Sequence, residues 1–316
     1  LEGASASRVQ TVGVIGAGTM GAGIATCFLN AGFHVTLIEL ATQALEAGVK
    51  RISDGYSGHV KAGRMTQPQA DGHISRLTAS TDRCKLATAD LVIEAIVENL
   101  NAKRTLFAEL EAIVPPKTVL ATNTSYLDID DIADGMTDPA RLIGMHFFSP
   151  ADRMRLLEIV TGERSRSANI ATAFAVGRKL GKAAVLAKSA EGFIGNRIYA
   201  AYRGQCEFMV EEGADPQQVD KALTNFGFAL GPFAVSDLSG LDIAKARRDR
   251  LAAARDPLAR YVDIPDRLCK VGRLGRKTGA GWYDYSQNPR MGIPDPATTN
   301  IINQCRADKG ISPKPF

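Results

Sequence analysis

Two residues suited to proton transfer, His146 and Glu158, stand twelve positions apart in the sequence. Glu158 lies within the apolar run 156–160, where a carboxylate is rarely buried unless it is paired. An imidazole would be a suitable partner, because a carboxylate can set its orientation and its basicity. Such a pair could accept a hydroxyl proton while hydride leaves the same carbon. Spacing alone favours the alternative, in which Glu158 meets a lysine or arginine and His146 is a satisfied core residue.

A second set of residues, Gly16, Gly18 and Gly21, has the G-x-G-x-x-G spacing of a phosphate-binding loop. Gly16 allows a sharp turn after a strand, Gly18 lets a pyrophosphate approach the backbone, and Gly21 lets the next helix pack on the sheet. The N-terminus of that helix offers free N–H groups and the positive end of its dipole to phosphates. The alternative for this motif is a glycine-rich turn that binds no ligand.

The sequence around the glycines supplies the context that this motif needs. The β-branched run Thr11–Ile15 precedes it, an apolar helix is predicted over 20–30, and a second β-rich run, 34–38, ends in Glu39. Glu39 can accept both ribose hydroxyls of an adenosine and repels a 2′-phosphate, so it favours NAD over NADP. The NAD-binding residues predicted in this segment are Gly16, Gly18, Thr19, Met20, Gly21 and Glu39.

The rest of the chain predicts the elements that must position these residues. Further strands are expected to begin at residues 90, 118, 142, 156 and 183, with helices between them. This alternation predicts an α/β fold, a Rossmann-type doubly wound and mostly parallel sheet. We assign residues 1–189 to this NAD-binding domain, with a helical arm over 41–79. Residues 190–286 are predicted to form a second, all-helical domain, and 287–316 a loosely held tail.

Other polar residues are predicted at the carboxyl ends of strands, where open α/β sheets bind their ligands. Glu98 follows the strand that begins at residue 90, the stretch Asn123–Ser125 ends the next strand, and His146 ends another. Asn196 opens the first helix of the second domain. A site at a domain interface needs contributions from both sides, and Asn196 is placed to provide one.

Composition excludes several other classes of protein. The 316 residues carry a formal net charge of +4, which is too slight to indicate a nucleic-acid partner. The five cysteines are scattered and form no C-x-x-C pair, which indicates a reduced compartment with neither a disulfide framework nor a metal site. No apolar run approaches the length of a membrane span. The polar start, LEGASAS, is interpreted as a linker.

Six motifs occur together in the chain. GAGTMGAGIA, EAIVENLNAK, ATNTS, HFFSP, GFIGNR and GRKTGAGWYDY have the order and rough spacing found in 3-hydroxyacyl-CoA dehydrogenases. The resemblance covers about residues 8–285. The chain looks most like the dehydrogenase portion of a multifunctional fatty-acid oxidation enzyme. The resemblance implies NAD-dependent oxidation of (3S)-3-hydroxyacyl-CoA to 3-ketoacyl-CoA in β-oxidation.

The resemblance also implies roles for individual residues. His146 matches the catalytic base and Glu158 its orienting carboxylate, while Ser125 and Asn196 match groups that bind the substrate. Glu39 matches the acid that binds the adenosine ribose, although some members have Asp there. Residues matching those near the nicotinamide half of NAD are Glu98, Lys103 and Asn123.

Partners and location follow from the same resemblance. It implies an acyl-CoA substrate, a homodimer formed through the helical domain, and fusion to an enoyl-CoA hydratase domain in a longer protein. A cytoplasmic location is expected, with the peroxisome or mitochondrial matrix as alternatives in a eukaryote. Two other functions stay open at this point. One is a dehydrogenase of a free 3-hydroxyacid, a class that uses a catalytic lysine, and the other is a non-catalytic NAD-binding protein.

Overall fold

The computed structural model describes residues 3–315, so Leu1, Glu2 and Phe316, at the ends of the predicted first domain and tail, lie outside the described residues. The chain forms two compact units, Leu1–Arg197 and Ile198–Phe316. The first unit contains an eight-stranded sheet with helices and the second is mainly helical, so the predicted fold class is confirmed. Within residues 3–315, no helix combines the length and the apolar character that crossing a membrane requires.

The sheet of the first unit has the strand order β3-β2-β1-β4-β5-β6-β7-β8. Neighbouring strands are parallel except β6 and β7, which are antiparallel. The order reverses between β1 and β4, which is the switch point where doubly wound sheets bind ligands. The strands are β1 (Thr11–Ile15), β2 (His34–Ile38), β3 (Leu77–Ser80), β4 (Leu91–Glu94), β5 (Val119–Thr122), β6 (Leu142–Phe147), β7 (Leu156–Thr161) and β8 (Ala183–Lys188).

Helices cover both faces of this sheet. In β4, Leu91 and Ile93 join one apolar cluster with Phe28, and Val92 joins a second cluster with Leu106. Successive side chains of a strand point to opposite faces, so a strand buried on both faces is apolar throughout. The helices of this unit are α1 (Thr19–Asn30), α2 (Thr42–Lys61), α3 (Gln67–Ile74), α4 (Leu100–Ile113), α5 (Ile129–Ala133) and α6 (Ser167–Lys179).

The predicted helical arm over 41–79 contains the helices α2 and α3, and the prediction is wrong only at its end. Its last residues form the edge strand β3, which pairs in parallel with β2. Leu45, Ile52 and Tyr56 of α2 are buried in the same cluster as α1. The strand was missed because four residues, two of them small, carry too weak a period-two pattern to be told from helix.

The second unit is built from helices around its own apolar cluster, together with isolated β-bridges near residue 280. The predicted loose tail is wrong, because Ile302 and Cys305 of the last helix are buried in that cluster. Asp295 and Pro296 in that segment cap and begin the last helix, so this polar stretch is a helix start. The remaining helices are α7 (Gly195–Glu212), α8 (Pro216–Phe226), α9 (Pro232–Ser239), α10 (Leu241–Arg250), α11 (Ile264–Lys270) and α12 (Pro296–Asp308).

Candidate active site

The pairing of β6 with β7 places His146 directly opposite Glu158. The Nδ1 atom of His146 lies 2.6 Å from Oε2 of Glu158, and the two residues are 3% and 0% exposed. Adjacent antiparallel strands hold such cross-strand neighbours together without any further ligand. The spacing of the two residues could not show this contact, because the contact depends on β7 running antiparallel to β6.

The second oxygen of Glu158 accepts hydrogen bonds from the backbone. The amides of Ile194 and Gly195 donate to Oε1 at 3.0 and 2.7 Å. The preceding residue, Phe193, has φ of 45°, the left-handed conformation that aims these two amides. Burial would raise the pKa of Glu158, but the hydrogen bonds from His146 and Gly195 outweigh it and lower the pKa below its usual range. Glu158 is therefore an ionised carboxylate beside the imidazole.

Ser125 completes a line of three side chains. Its Oγ lies 3.2 Å from Nε2 of His146, on the side of the ring away from Glu158. Glu98 fixes the loop that carries Ser125: its Oε1 accepts from Oγ1 of Thr124 at 2.5 Å and from the Ser125 amide at 2.9 Å. The structure thus brings together Ser125, His146, Glu158 and Glu98 from four separate segments of the chain.

Lys103 and Asn123 have structural partners in this site. Lys103 is 1% exposed, and its Nζ lies 2.5 Å from Oε1 of Glu94 and 3.3 Å from Oε2 of Glu98. Oδ1 of Asn123 accepts from the Phe147 amide at 2.8 Å, tying the end of β5 to β6. Lys103 acts on the site through Glu98, since its own ammonium is buried among carboxylates.

The three glycines line the turn between β1 and α1. Gly16 has φ of +98°, and a side chain there would collide with the carbonyl of Ala95. A side chain on Gly21 would overlap the Gly16 carbonyl, whereas Gly18 faces open space. No side chain among residues 3–315 caps α1, so the amides of its first turn, Thr19 to Gly21, are open to a ligand.

A cavity of about 770 Å³ lies against this turn, and Gly16, Gly18 and Glu39 line it. Oε2 of Glu39 accepts from the Ala17 amide at 3.0 Å and Oε1 from the Leu40 amide at 2.8 Å. These bonds fix the carboxylate at the carboxyl end of β2. An open glycine backbone, uncapped helix amides and a fixed acid suit the phosphates and ribose of a dinucleotide. Of the residues predicted to bind NAD, Gly16, Gly18 and Glu39 line this cavity, and Thr19, Met20 and Gly21 form the first turn of α1.

Asn196 lies in the first turn of α7, next to Gly195, whose amide contacts Glu158. It lies in the first compact unit, as the other site residues do. The amides of Ile194 and Gly195 tie the start of α7 to Glu158 in the sheet. Asn196 is partly exposed beside the dyad.

Two residues without a role predicted from the sequence also shape this site. Glu94 is 0% exposed and accepts from Lys103, from the Ile96 amide at 2.7 Å and from Oγ1 of Thr122 at 2.6 Å. The sequence offered one signal for Glu94: a carboxylate at the end of the strand LVIE is buried only if it has partners. The ring of Phe193 packs edge-on against His146 with centroids 5.6 Å apart. No sequence pattern indicates its left-handed backbone.

A separate acidic cluster lies in the second unit. Glu211, Asp263 and Cys305 place possible ligand atoms within 4.8 Å of one another. The Nζ of Lys309 lies 2.5 Å from Glu211 Oε1 and 3.1 Å from Asp263 Oδ1. The lysine ammonium therefore already supplies the cation of this cluster.

Comparison with known protein families identifies an NAD-binding domain followed by a second domain, as the sequence predicts. The family "3-hydroxyacyl-CoA dehydrogenase, NAD binding domain" matches residues 11–190, and "3-hydroxyacyl-CoA dehydrogenase, C-terminal domain" matches 192–285. The "Peroxisomal bifunctional enzyme" of Cavia porcellus is 40% identical over 98% of this chain, which spans 44% of that relative's length. The chain thus spans less than half of the curated relatives it matches.

Solved structures agree with the family assignment. FadB2 of M. tuberculosis superposes with a TM-score of 0.84 at 36% identity, covering 89% of this chain and all of that one. The 3-hydroxybutyryl-CoA dehydrogenase of Escherichia coli K12 also gives 0.84 at 36% identity, covering 91% of this chain and 61% of that one. Both the predicted NAD cofactor and the predicted resemblance are confirmed. The chain belongs to the 3-hydroxyacyl-CoA dehydrogenase family of NAD-dependent oxidoreductases.

Proposed function

We propose that this chain catalyses the NAD-dependent interconversion of (3S)-3-hydroxyacyl-CoA and 3-ketoacyl-CoA, with His146 as general base. The observation that carries the proposal is the line from Glu158 through His146 to Ser125, with separations of 2.6 and 3.2 Å. It lies at the carboxyl edge of the sheet, as the dinucleotide cavity does. A base at this edge can reach a substrate placed against a cofactor.

Hydrogen bonding decides which imidazole nitrogen acts as the base. The amides of Ile194 and Gly195 occupy one oxygen of Glu158, and the other oxygen faces Nδ1 of His146. An ionised carboxylate only accepts hydrogen bonds, so Nδ1 carries the proton. Nε2 is then the basic nitrogen and can accept the proton of a substrate hydroxyl. Glu158 stabilises the imidazolium that results.

Ser125 and Asn196 have substrate-orienting roles in this proposal. The hydroxyl of Ser125 can donate to the substrate oxygen as the carbon becomes a carbonyl, while Nε2 takes up the proton. Asn196 follows Gly195, whose amide binds Glu158, and the family resemblance implies that it contacts the 3-oxygen or thioester region of the substrate. NAD, when bound, accepts the hydride. Glu98 positions Ser125, and Lys103 positions Glu98.

A second cavity supports a coenzyme A ester as the substrate. It has a volume of about 680 Å³ and also lies against the start of α1, with Thr19 and Gly23 in its lining. Its lining contains three arginines, Arg51, Arg64 and Arg153, and one acid, Asp152, so its walls carry a surplus of positive charge. Coenzyme A carries several phosphate charges, and arginine binds phosphate through paired N–H groups. A free 3-hydroxyacid would leave most of this cavity unused.

Reduction of acetoacetyl-CoA by NADH is the direct test. We expect turnover with acetoacetyl-CoA, none with free acetoacetate, and a loss of about 10²–10⁴-fold in kcat in His146→Gln. Binding of NADH should be retained in this variant, because His146 is not among the residues that line the dinucleotide cavity. Turnover of the free acid alone would support a 3-hydroxyacid dehydrogenase. NADH binding without turnover of either would support a non-catalytic protein.

We further propose that two chains associate through the second unit. An apolar groove of about 300 Å³ is lined by Met209, Val219 and Leu223, and Phe226 nearby in sequence is 83% exposed. Apolar surfaces of this kind usually mark interfaces. Light scattering should give twice the 33.7 kDa chain mass. Phe226→Asp should give monomers, whereas Leu258→Asp, at a residue 94% exposed, should not. A wild-type monomer would contradict this proposal.

The relatives of this chain suggest which domain accompanies it and where the protein is located in the cell. We propose that this chain works beside an enoyl-CoA hydratase domain of the same polypeptide, as its resemblance to multifunctional enzymes implies. The relatives' names place them in peroxisomes and glyoxysomes, which supports the peroxisome over the cytoplasm. An antibody against the chain should detect a polypeptide well above 33.7 kDa in a peroxisomal fraction. A band of the chain's own mass in the cytosol would contradict both statements.

A further inference from the structure

The dinucleotide cavity contains one arginine that the described roles do not use. Arg83 lies in a short 3₁₀ turn, Arg83–Leu86, just after the edge strand β3. Strands β2 and β3 end side by side, with Ile38 opposite Ser80, and the Glu39 amide donates to the Ser80 carbonyl at 3.3 Å. The chain after β3 therefore reaches the same edge as Glu39, and Arg83 and Glu39 both line the cavity.

A carboxylate of α4 in the same lining neutralises this arginine. NH1 of Arg83 donates to Oε2 of Glu109 on α4, and Glu109 also lines the cavity. The side chains of Arg83 and Glu109 are 26% and 48% exposed. The Nε atom of Arg83 is buried and has no hydrogen-bond partner in the described part of the chain. This arginine therefore retains a donor that no residue between 3 and 315 satisfies.

The charges that line the cavity bear on its preference between NAD and NADP, which differ by a 2′-phosphate. Its charged lining residues are Glu39, Arg83 and Glu109, so the wall carries one positive and two negative charges. An arginine near the adenosine ribose is the usual ligand of the 2′-phosphate of NADP. Here that arginine is already paired, and the surplus charge is negative.

We propose that Glu109 is a second determinant of the preference for NAD. By pairing with Arg83 it holds a potential 2′-phosphate ligand away from that role, and Glu39 repels the phosphate directly. Glu109 is thus a positioning residue that acts through Arg83. The proposal uses the dinucleotide site of the proposed function, but it concerns selectivity between two cofactors and not the chemical step.

The test is a double-mutant cycle read out by binding. Dissociation constants for NADH and NADPH are measured by fluorescence for the wild type, Glu109→Gln, Arg83→Gln and the double variant. Glu109→Gln should tighten NADPH about tenfold, the order expected of one charge-assisted contact, and leave NADH within about twofold. The gain should vanish in the double variant, because Arg83 is the ligand. It should also shrink at high salt, since the contact is partly exposed.

The exposed pair Lys50–Asp54 on α2 offers a matched control. Asp54→Asn removes the same charge away from the cavity and should change neither dissociation constant. An unchanged NADPH affinity in Glu109→Gln, or an equal gain with and without Arg83, would overturn the proposal. So would a tenfold loss of NADH in Arg83→Gln, since Arg83 would then already bind the adenosine. Failure of the wild type to bind NADH would refute the dinucleotide site itself, and this proposal with it.

Discussion

Glu158→Gln tests whether the buried carboxylate sets the tautomer of His146. Glutamine has the same shape, but it offers one oxygen and one NH₂ group where glutamate offers two oxygens. If the NH₂ faced the amides of Ile194 and Gly195, two buried donors would lose their acceptor at a cost of about 1–3 kcal/mol each. The oxygen should therefore stay on the amides, and the NH₂ should face Nδ1 of His146.

This orientation reverses the imidazole. Nδ1 must then accept a hydrogen bond, so the proton moves to Nε2, the nitrogen that should be the base. A protonated Nε2 cannot take a proton from the substrate, and the imidazolium loses its counter-charge. We expect kcat to fall about 10²–10⁴-fold, equal to about 3–5 kcal/mol of activation free energy. The dissociation constant of NADH should not change, since Glu158 lies outside the cavity lining.

The assay is the oxidation of NADH by acetoacetyl-CoA, followed by absorbance and expressed per folded molecule. Asp237→Asn is the matched control, because Asp237 is 1% exposed and accepts from the Trp282 and Tyr283 amides. That variant should lose stability but keep its specific activity. Near wild-type kcat in Glu158→Gln, with the fold intact, would refute the tautomer argument and leave Glu158 a structural residue.

Three further predictions concern residues of the first unit. Lys103→Met should lower the free energy of unfolding by about 3–5 kcal/mol in urea titrations, since it leaves Glu94 buried without its cation, whereas Lys50→Met at an exposed pair should change it by less than about 0.5 kcal/mol. Ser125→Ala should reduce kcat about 10²-fold with NADH binding retained, and an unchanged kcat would remove Ser125 from the reaction. The folded pKa of Glu158 is lowered, so its stabilising effect is present above the unfolded pKa of about 4.3 and is lost as pH falls through the folded value. The gap in unfolding free energy between wild type and Glu158→Gln should therefore narrow below about pH 4, and a constant gap in acid titrations would contradict this.

The sequence by itself determined the dinucleotide-binding end of the fold. The requirements at Gly16, Gly18 and Gly21 are local, because each concerns a backbone turn, a close approach or a helix start within a few residues. Glu39 ends the very next strand, so its place could also be predicted. Strong apolar runs such as 91–93 identified central strands, since both faces of such strands are buried.

Only the tertiary structure decided which polar residues meet. His146 contacts Glu158 because β7 runs antiparallel to β6, and spacing alone favoured a different partner. Glu98 binds the loop of Ser125, and Lys103 is buried between two carboxylates, through contacts that join separate segments. Arg83 lines the dinucleotide cavity because it follows the edge strand β3. That strand is too short for its sequence pattern to be recognised. Local patterns specify the elements of a chain, but pairing between distant strands sets the chemistry at their ends, and that pairing is a property of the whole sheet.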